Sequence, residues 1–248
     1  MSRTSALCSS PGVCVSQPAA FFDLDGTLVT INGGRSWIQR EHRLGRLGHL
    51  QLLRGAWLLG LYYFGWVNIE RALGAALGTV TGLPEEQIRQ ETATWFAEEM
   101  APQSAAGAWP FLAAHRALGH PLVLLTSSSP YAAEMARRHF HLDHALSTTY
   151  LTVDGLLTGR FGVPVCYGAG KITHAERWAA DADVDLDASY FYTDSNTDLP
   201  MLERVGHPRP VAPDLRLAWH ARRRGWSVLN WAQEGDPSSR RFLAELEA

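Results

Sequence analysis

The chain has 248 residues, 46% hydrophobic and 19% charged, a composition typical of globular proteins large enough to bury a sizeable core. A formal net charge of −3 argues against a nucleic-acid partner, because nonspecific binding to nucleic acid needs a clear basic excess. The three cysteines, Cys8, Cys14 and Cys166, lack metal-ligand spacing and favour a reduced cytoplasmic setting over a disulfide framework.

The first element of the chain follows a tail rich in Ser, Pro and Gly. Residues 1–18 contain no apolar segment of signal-peptide length, and we expect a flexible extension. Residues 19–22 then predict a short buried strand that runs into Asp23 and Asp25. On an extended backbone these two carboxylates share one face, where they repel each other unless a cation or a proton lies between them. A plain Asp-Gly turn is the structural alternative.

The next segment is helical in pattern throughout. Residues 30–36 are polar and are interpreted as either a hinge or the mouth of a pocket. Residues 37–50, 68–80 and 84–100 predict helices, so residues 33–110 are interpreted as an all-helical insertion. Residues 55–67 form an uncharged, aromatic-rich run of 13 residues, shorter than the roughly 20 needed to span a bilayer. We expect a buried helix there, and an interfacial helix that touches lipid is the alternative.

From residue 111 onward, strand and helix patterns alternate. Helices are predicted over 111–118, 131–140, 171–180 and 199–205, and strands over 121–125 and 189–193. A hairpin is predicted within 146–161 around Asp154-Gly155, and further short strands at Val211 and 227–229. This alternation predicts an α/β, Rossmann-like core with a doubly wound parallel sheet, made of residues 19–32 and 111–248.

Three predicted strands end in polar residues, and ligands of such sheets bind at the carboxyl ends of the strands. These residues are Asp23 with Asp25, Thr126, and Asp194 with Asp198. Cleavage of a phosphate monoester by a carboxylate nucleophile needs a divalent cation, and Mg²⁺ prefers a few carboxylates such as Asp23 and Asp194. It also needs donors to the phosphoryl oxygens, which Thr126, the amides from Ser127 onward and Lys171 can supply.

The order of these motifs resembles the haloacid dehalogenase superfamily: DLDGT at 23–27, LLT at 124–126, Lys171 and DSNTD at 194–198. A helical insertion after the first motif is similar to the cap of its phosphoserine-phosphatase-like branch. The resemblance implies that Asp23 is the nucleophile and Asp25 the general acid and base. It implies that Thr126, Ser127 and Lys171 bind phosphate. It further implies that Asp23, the Asp25 carbonyl and Asp194 bind Mg²⁺, with Asp198 supporting the metal site.

One departure from that branch concerns the substrate. Its phosphoserine phosphatases usually carry an acidic residue shortly after the first motif, whereas this chain has no carboxylate between Thr30 and Glu41. We therefore expect a Mg²⁺-dependent phosphomonoester hydrolase that acts on a small phosphorylated metabolite through an aspartyl phosphate. The alternatives are a lipid-phosphate phosphatase at a membrane surface and a non-catalytic binding protein that kept the fold.

Overall fold

The structure, a computed structural model, describes residues 16–46, 48, 69–232 and 235–246. Within these residues it contains seven strands: β1 (Ala20–Phe22), β2 (Leu122–Leu125), β3 (His144–Leu146), β4 (Tyr150–Val153), β5 (Leu156–Phe161), β6 (Tyr190–Thr193) and β7 (His207–Pro210). Five of them form one sheet in the order β3-β2-β1-β6-β7, with every neighbouring pair parallel. The first strand therefore lies at the centre of the sheet, which confirms the predicted α/β fold.

Nine α-helices occur in the same described residues: α1 (Gly33–Arg43), α2 (Ile69–Gly78), α3 (Glu85–Trp95), α4 (Ala108–Ala117), α5 (Pro130–His139), α6 (Gly170–Ala182), α7 (Leu199–Arg204), α8 (Leu215–Arg224) and α9 (Pro237–Leu246). Helix α3 continues into a π-helical turn, Phe96–Met100, and a 3-10 turn, Ala101–Gln103. None of the described helices has the length and apolarity required to cross a bilayer. The aromatic run 55–67 and most of the tail 1–18 lie outside the described residues.

Both faces of the sheet are covered because successive side chains of β1 point in opposite directions. Phe22 packs on one face in a cluster with Phe111 of α4 and with Trp231. Phe21 packs on the other face in a cluster with Ala175 of α6 and with Phe191. The fully buried run at residues 19–22 thus fixes the central strand and the position of the carboxylates that follow it.

Helix α1 begins earlier than predicted. Residues 30–36 were interpreted as a hinge or the mouth of a pocket, but Gly33 already starts the helix. The helix predicted over 37–50 ends at Arg43. The Asn32 side chain accepts a hydrogen bond from the Arg35 amide at 2.9 Å and caps the helix. This local capping interaction outweighs the low helix propensity of two consecutive glycines.

The prediction of the last strand was wrong. The fifth strand of the sheet is His207–Pro210, whereas Val211 and Leu229 form only an isolated bridge. Strand β7 contains Pro208 and Pro210, which have no backbone N–H donor, and for this reason its sequence did not predict a strand. Both prolines are tolerated because β7 lies at the edge of the sheet.

The boundary between insertion and core also differs from the prediction. Helix α4 begins at Ala108 instead of residue 111, and Ala105 and Ala108 are buried in the core cluster. Ala105 and Ala108, which the prediction assigned to the cap, therefore pack with the sheet, and the division into cap and core stays a prediction. The two segments that flank the insertion pair with each other: the Thr30 amide donates to Gln103 and the Ala105 amide to Leu28, both at 2.8 Å.

The predicted hairpin is present as β4 and β5, which pair antiparallel around Asp154-Gly155. Its second strand hydrogen-bonds to the insertion. The Gly82 amide donates to the Leu157 carbonyl at 2.7 Å, and the Leu157 amide donates to the Leu83 carbonyl at 3.0 Å. The insertion is consequently attached to the core at a second place besides its two ends.

Candidate active site

The carboxyl ends of β1, β2 and β6 bring the predicted site residues to one edge of the sheet. Asp23 follows β1, Thr126 follows β2 and Asp194 follows β6, and these three strands are direct neighbours. Lys171, in the first turn of α6, reaches the same edge and donates from Nζ to Asp23 Oδ1 at 2.9 Å. Residues separated by more than a hundred positions thus converge where the sequence predicted.

Asp198 holds Lys171 in place. The Lys171 ammonium donates to Asp198 Oδ2 at 2.7 Å, and the Thr193 hydroxyl donates to the same oxygen at 2.7 Å. The side chains of Lys171 and Asp198 are each only 2% exposed. These contacts make Asp198 a positioning residue for the lysine, and the metal contact suggested for it by resemblance remains a prediction. Thr193 is a site residue that the sequence analysis missed.

Asp194 is enclosed by the first motif. Its amide donates to the Thr27 hydroxyl at 3.1 Å, and that hydroxyl lies 3.4 Å from Asp194 Oδ1. Gly26 has φ +73°, and a Cβ atom there would lie 2.2 Å from Asp194 Oδ2. Only glycine fits this position, both for its backbone conformation and for its closeness to the carboxylate. Gly26 and Thr27 therefore serve the site, beyond ending the strand.

Both oxygens of Asp25 accept hydrogen bonds from groups that the sequence analysis did not identify. The Gly33 amide, at the start of α1, donates to Oδ1 at 2.5 Å, and the Ser128 hydroxyl donates to Oδ2 at 2.9 Å. The only sequence signals were the Asn32-Gly33 helix start and a serine two residues after Thr126. Asp25 is thus oriented jointly by the insertion and by the loop after β2.

The three serines after Thr126 have different surroundings. Thr126 is fully buried, and its Oγ1 accepts from the Ser128 amide at 3.1 Å. The Ser127 side chain is exposed, and Ser129 caps α5 by accepting from the Ala132 amide at 3.2 Å. Phosphate binding by Thr126 and Ser127 stays a prediction, supported by their place in the loop that leads to the start of α5, where anions are favoured.

The electrostatics of the site are dominated by buried acidic groups, whose charged forms burial disfavours. Burial raises the pKa of Asp23 to about 8, against the attraction of Lys171, and raises that of Asp194 to about 6. Burial also raises the pKa of Asp25. For Lys171, burial lowers the pKa, but attraction by Asp198 and Asp23 outweighs it, so the pKa lies above its ordinary value. One lysine thus faces four carboxylates, a set that calls for an additional cation.

The residues present fit a magnesium ion. Hydrogen bonds within the described residues use Oδ1 of Asp23 and Oδ1 of Asp194, and leave Oδ2 of each for a further ligand. No three His, Cys, Asp or Glu side chains of the described residues form a metal cluster by themselves. Mg²⁺ suits such a sparse set, because it binds through one or two carboxylates and completes its octahedron with water and substrate oxygens.

Comparison with known proteins is consistent with this geometry. The family model of haloacid dehalogenase-like hydrolases matches residues 20–203. A phosphoserine phosphatase of Mycobacterium tuberculosis is 33% identical over 218 residues, covering 85% of this chain and 70% of that protein. A histidinol-phosphatase of Neisseria meningitidis is 26% identical over 86% of this chain and 98% of its own length.

Solved structures show the same fold. A protein of unknown function from Bordetella pertussis Tohama I aligns with a TM-score of 0.79 at 27% identity, covering 86% of this chain and 98% of that one. A phosphoserine phosphatase with a phospho-aspartyl intermediate analogue aligns with a TM-score of 0.64 at 17% identity, covering 92% and 99%.

Proposed function

Because the chain belongs to the haloacid dehalogenase-like hydrolase family and is a phosphatase, we propose that it hydrolyses small phosphomonoesters through an aspartyl phosphate on Asp23, with Mg²⁺. The observation that carries this proposal is the placement of Asp23 at the end of the central strand, paired with Lys171 at 2.9 Å and two residues before Asp25. The intact set of Asp23, Asp25, Lys171 and Asp194 argues against a non-catalytic binding protein.

In the first half of the reaction, the ionised carboxylate of Asp23 attacks the phosphorus atom. The bond between phosphorus and the ester oxygen breaks, and the Asp25 carboxyl donates its proton to the departing alkoxide. The Gly33 amide and the Ser128 hydroxyl hold Asp25 in one orientation for this transfer. Lys171 and the start of α5 offset the negative charge on the phosphoryl oxygens.

In the second half, water replaces the alcohol in the site. The Asp25 carboxylate, left without its proton, removes a proton from this water, and the resulting oxygen attacks phosphorus. The bond between phosphorus and Asp23 then breaks, which releases inorganic phosphate and restores both carboxyl groups to their starting states. The Lys171 ammonium donates to the Asp198 carboxylate at 2.7 Å, and this contact keeps the lysine beside Asp23 in both halves of the reaction.

Magnesium would be held by Asp23, Asp194 and the backbone carbonyl of Asp25. When bound, it would offset the repulsion between the carboxylate nucleophile and the phosphate dianion. Thr27 and Gly26 contact the Asp194 carboxylate on two sides and hold it in one orientation for this role.

The proposed substrate is a small phosphorylated metabolite other than phosphoserine. Relatives are named for phosphoserine and for histidinol phosphate. In this chain the segment from Thr30 to Gly34 carries no carboxylate to bind an amino group. Glu99, a carboxylate of the π-helical turn, is engaged by Ser36 at 2.8 Å and by Arg40 at 3.2 Å.

The test is the replacement Asp23→Asn. The amide is a very poor nucleophile, so we expect turnover of phosphomonoesters to fall at least about 10³-fold while the protein stays folded. Asp181→Asn, at an exposed position of α6, is the matched control and should retain activity. In the wild type, acid quenching during turnover followed by mass spectrometry should detect a phosphoryl adduct on the peptide that contains Asp23. Near-wild-type hydrolysis by Asp23→Asn would contradict the proposal.

A further inference from the structure

Helix α8 presents two large apolar side chains to solvent. Leu215 is 90% exposed and Trp219 is 53% exposed. They are four residues apart, so both lie on one face of the helix. Single exposed apolar residues are ordinary on a protein surface, but a leucine with almost no protein contact next to a half-exposed tryptophan forms a patch.

The same helix is strongly basic. Its sequence, LRLAWHARRR, contains four arginines and no acidic residue, in a chain whose net charge is −3. Arg224 pairs with Glu203, whereas Arg216, Arg222 and Arg223 form no ion pair with any described residue. The Arg223 guanidinium lies over the Trp219 ring, 4.7 Å from its centroid. Beside this pair is a recess of about 380 Å³ lined by Trp219, His220, Arg223 and Arg224.

We propose that this surface, the α8 face (Leu215, Arg216, Trp219, Arg222 and Arg223), docks on an anionic lipid bilayer. Charge complementarity selects the partner, because arginines that form no ion pair with any described residue lie beside the exposed apolar side chains. At a bilayer, leucine and tryptophan enter the interfacial region, while arginines remain at the level of the phosphate headgroups.

The α8 face lies close to the loop that carries Asp194, so docking would also place the proposed active site near the membrane. Asp214, which caps α8, donates its amide to the Asp194 carbonyl at 2.9 Å and accepts the Asn196 amide at 2.7 Å. The helix therefore starts beside the loop that carries Asp194. Docking through Leu215 would bring this edge of the sheet close to the lipid surface. The inference concerns location and is independent of the proposed reaction.

The experiment measures sedimentation of the full chain with vesicles. We expect binding to vesicles of phosphatidylcholine mixed with phosphatidylglycerol, little binding to phosphatidylcholine alone, and weaker binding at high salt. Leu215→Ser combined with Trp219→Ser should lower the partition coefficient at least about 10-fold, because the inserted apolar area is lost. Arg222→Ala combined with Arg223→Ala should lower it about 10-fold or more, since each basic residue adds to the attraction.

Two control variants test whether the effect belongs to this face. Leu118→Ser removes an exposed leucine at the end of α4, and Arg177→Ala removes an exposed arginine of α6. Both should bind vesicles like the wild type. Every variant should keep the circular dichroism spectrum and the unfolding temperature of the wild type, which checks folding. Wild-type binding by either α8 double variant overturns the proposal. So does failure of the wild type to bind anionic vesicles, which leaves an acidic protein as the occupant of the face.

Discussion

Asp194 and Asp198 lie in the same motif but have different surroundings. Asp194 contacts Thr27 and keeps Oδ2 for a further ligand, whereas Asp198 is occupied by Lys171 and Thr193. Replacement of the two carboxylates should therefore change the Mg²⁺ requirement of the activity to different extents. Asp194→Asn should raise the Mg²⁺ concentration for half-maximal activity at least about 10-fold. Asp198→Asn should lower kcat about 10²-fold, through a misplaced lysine, and leave that concentration nearly unchanged.

Titration of Mg²⁺ into chelator-treated protein measures both quantities. The chelated wild type should be inactive and should recover on addition of Mg²⁺, while Ca²⁺, with its larger and looser coordination shell, should inhibit. Full activity in excess chelator would exclude the metal from the reaction. A large increase in the Mg²⁺ requirement of Asp198→Asn would instead restore the direct metal role that resemblance assigns to this residue.

His115 is a buried titratable residue away from the site. Its Nε2 lies 2.7 Å from the Tyr192 hydroxyl and its Nδ1 2.9 Å from His120 Nδ1. Burial lowers the pKa of His115 from 6.5 to about 3, and the nearby charges of His120, Arg209 and His207 act in the same direction. Because the pKa of His115 is lower in the folded than in the unfolded state, the unfolded state binds a proton first as the pH falls. The contribution of neutral His115 to the free energy of unfolding is therefore full above about pH 6.5 and is lost as the pH falls towards 3.

The expected result is a pH-dependent free energy of unfolding. Between pH 7 and pH 5 the wild type should lose ~2 kcal/mol through His115, at about 1.4 kcal/mol per pH unit below 6.5. His115→Gln keeps hydrogen-bonding capacity without titrating, so its loss over this interval should be smaller by that amount. His144→Gln, at an exposed position of β3, should behave like the wild type. Urea unfolding at the two pH values measures the difference, and identical slopes for wild type and His115→Gln would refute it.

At the scale of secondary structure, the elements that were predicted well are those with a local signal. Continuous apolar runs indicated β1, β2 and β6, and the Asp154-Gly155 turn indicated the hairpin. Because parallel strands expose their carboxyl ends at one edge, the convergence of Asp23, Thr126 and Asp194 followed from these strands. Lys171, on helix α6, was included only because of its place in the order of the motifs. The contacts of Asp25 with Gly33 and Ser128 could not be predicted, because they depend on how the insertion and a loop are placed in three dimensions.

The hairpin supports the insertion through a position that requires glycine. Gly159 has φ +73°, and a Cβ atom there would lie 2.3 Å from Thr81 Oγ1. The Thr81 hydroxyl in turn bonds to the Leu77 carbonyl at 3.2 Å, so it cannot move without losing that contact. Gly119 has a similar φ of +76° but has no atom within 4 Å of a Cβ, which makes it a matched control for backbone strain.

Gly159→Ala should therefore separate β5 from the insertion. Amide hydrogen exchange at Gly82 and Leu157 should become at least about 10-fold faster than in the wild type, since these amides form the connecting hydrogen bonds. Gly119→Ala also strains the backbone, at a cost of about 1 kcal/mol. In this variant, exchange at the Gly82 and Leu157 amides should not accelerate more than exchange at amides of the neighbouring helices. Equal acceleration in both variants would mean that global stability, not the local contact, controls exchange there.

For the whole molecule, we propose that the core carries the chemistry and the insertion the recognition of the substrate. The sheet edge carries the groups that we propose to cleave phosphate, whereas the insertion reaches that edge through the Gly33 amide, which donates to Asp25. It also rests on the core through α3, where Arg89 lies over the Tyr131 ring at 5.4 Å. We propose that residues 34–100 act as a cap that excludes water and contacts the leaving group.

Exchange of residues 34–100 for the corresponding segment of the histidinol-phosphatase relative tests this division. Gly33 and the paired segments 28–30 and 103–105 remain, so Asp25 and the two chain crossings keep their native contacts. We expect the order of preferred substrates in a phosphomonoester panel to change, because leaving-group contacts come from the cap. Hydrolysis of a small aryl phosphate, which needs few such contacts, should stay within about 10-fold of the wild type. An unchanged order in a chimera that retains aryl phosphate hydrolysis would place selectivity in the core loops instead.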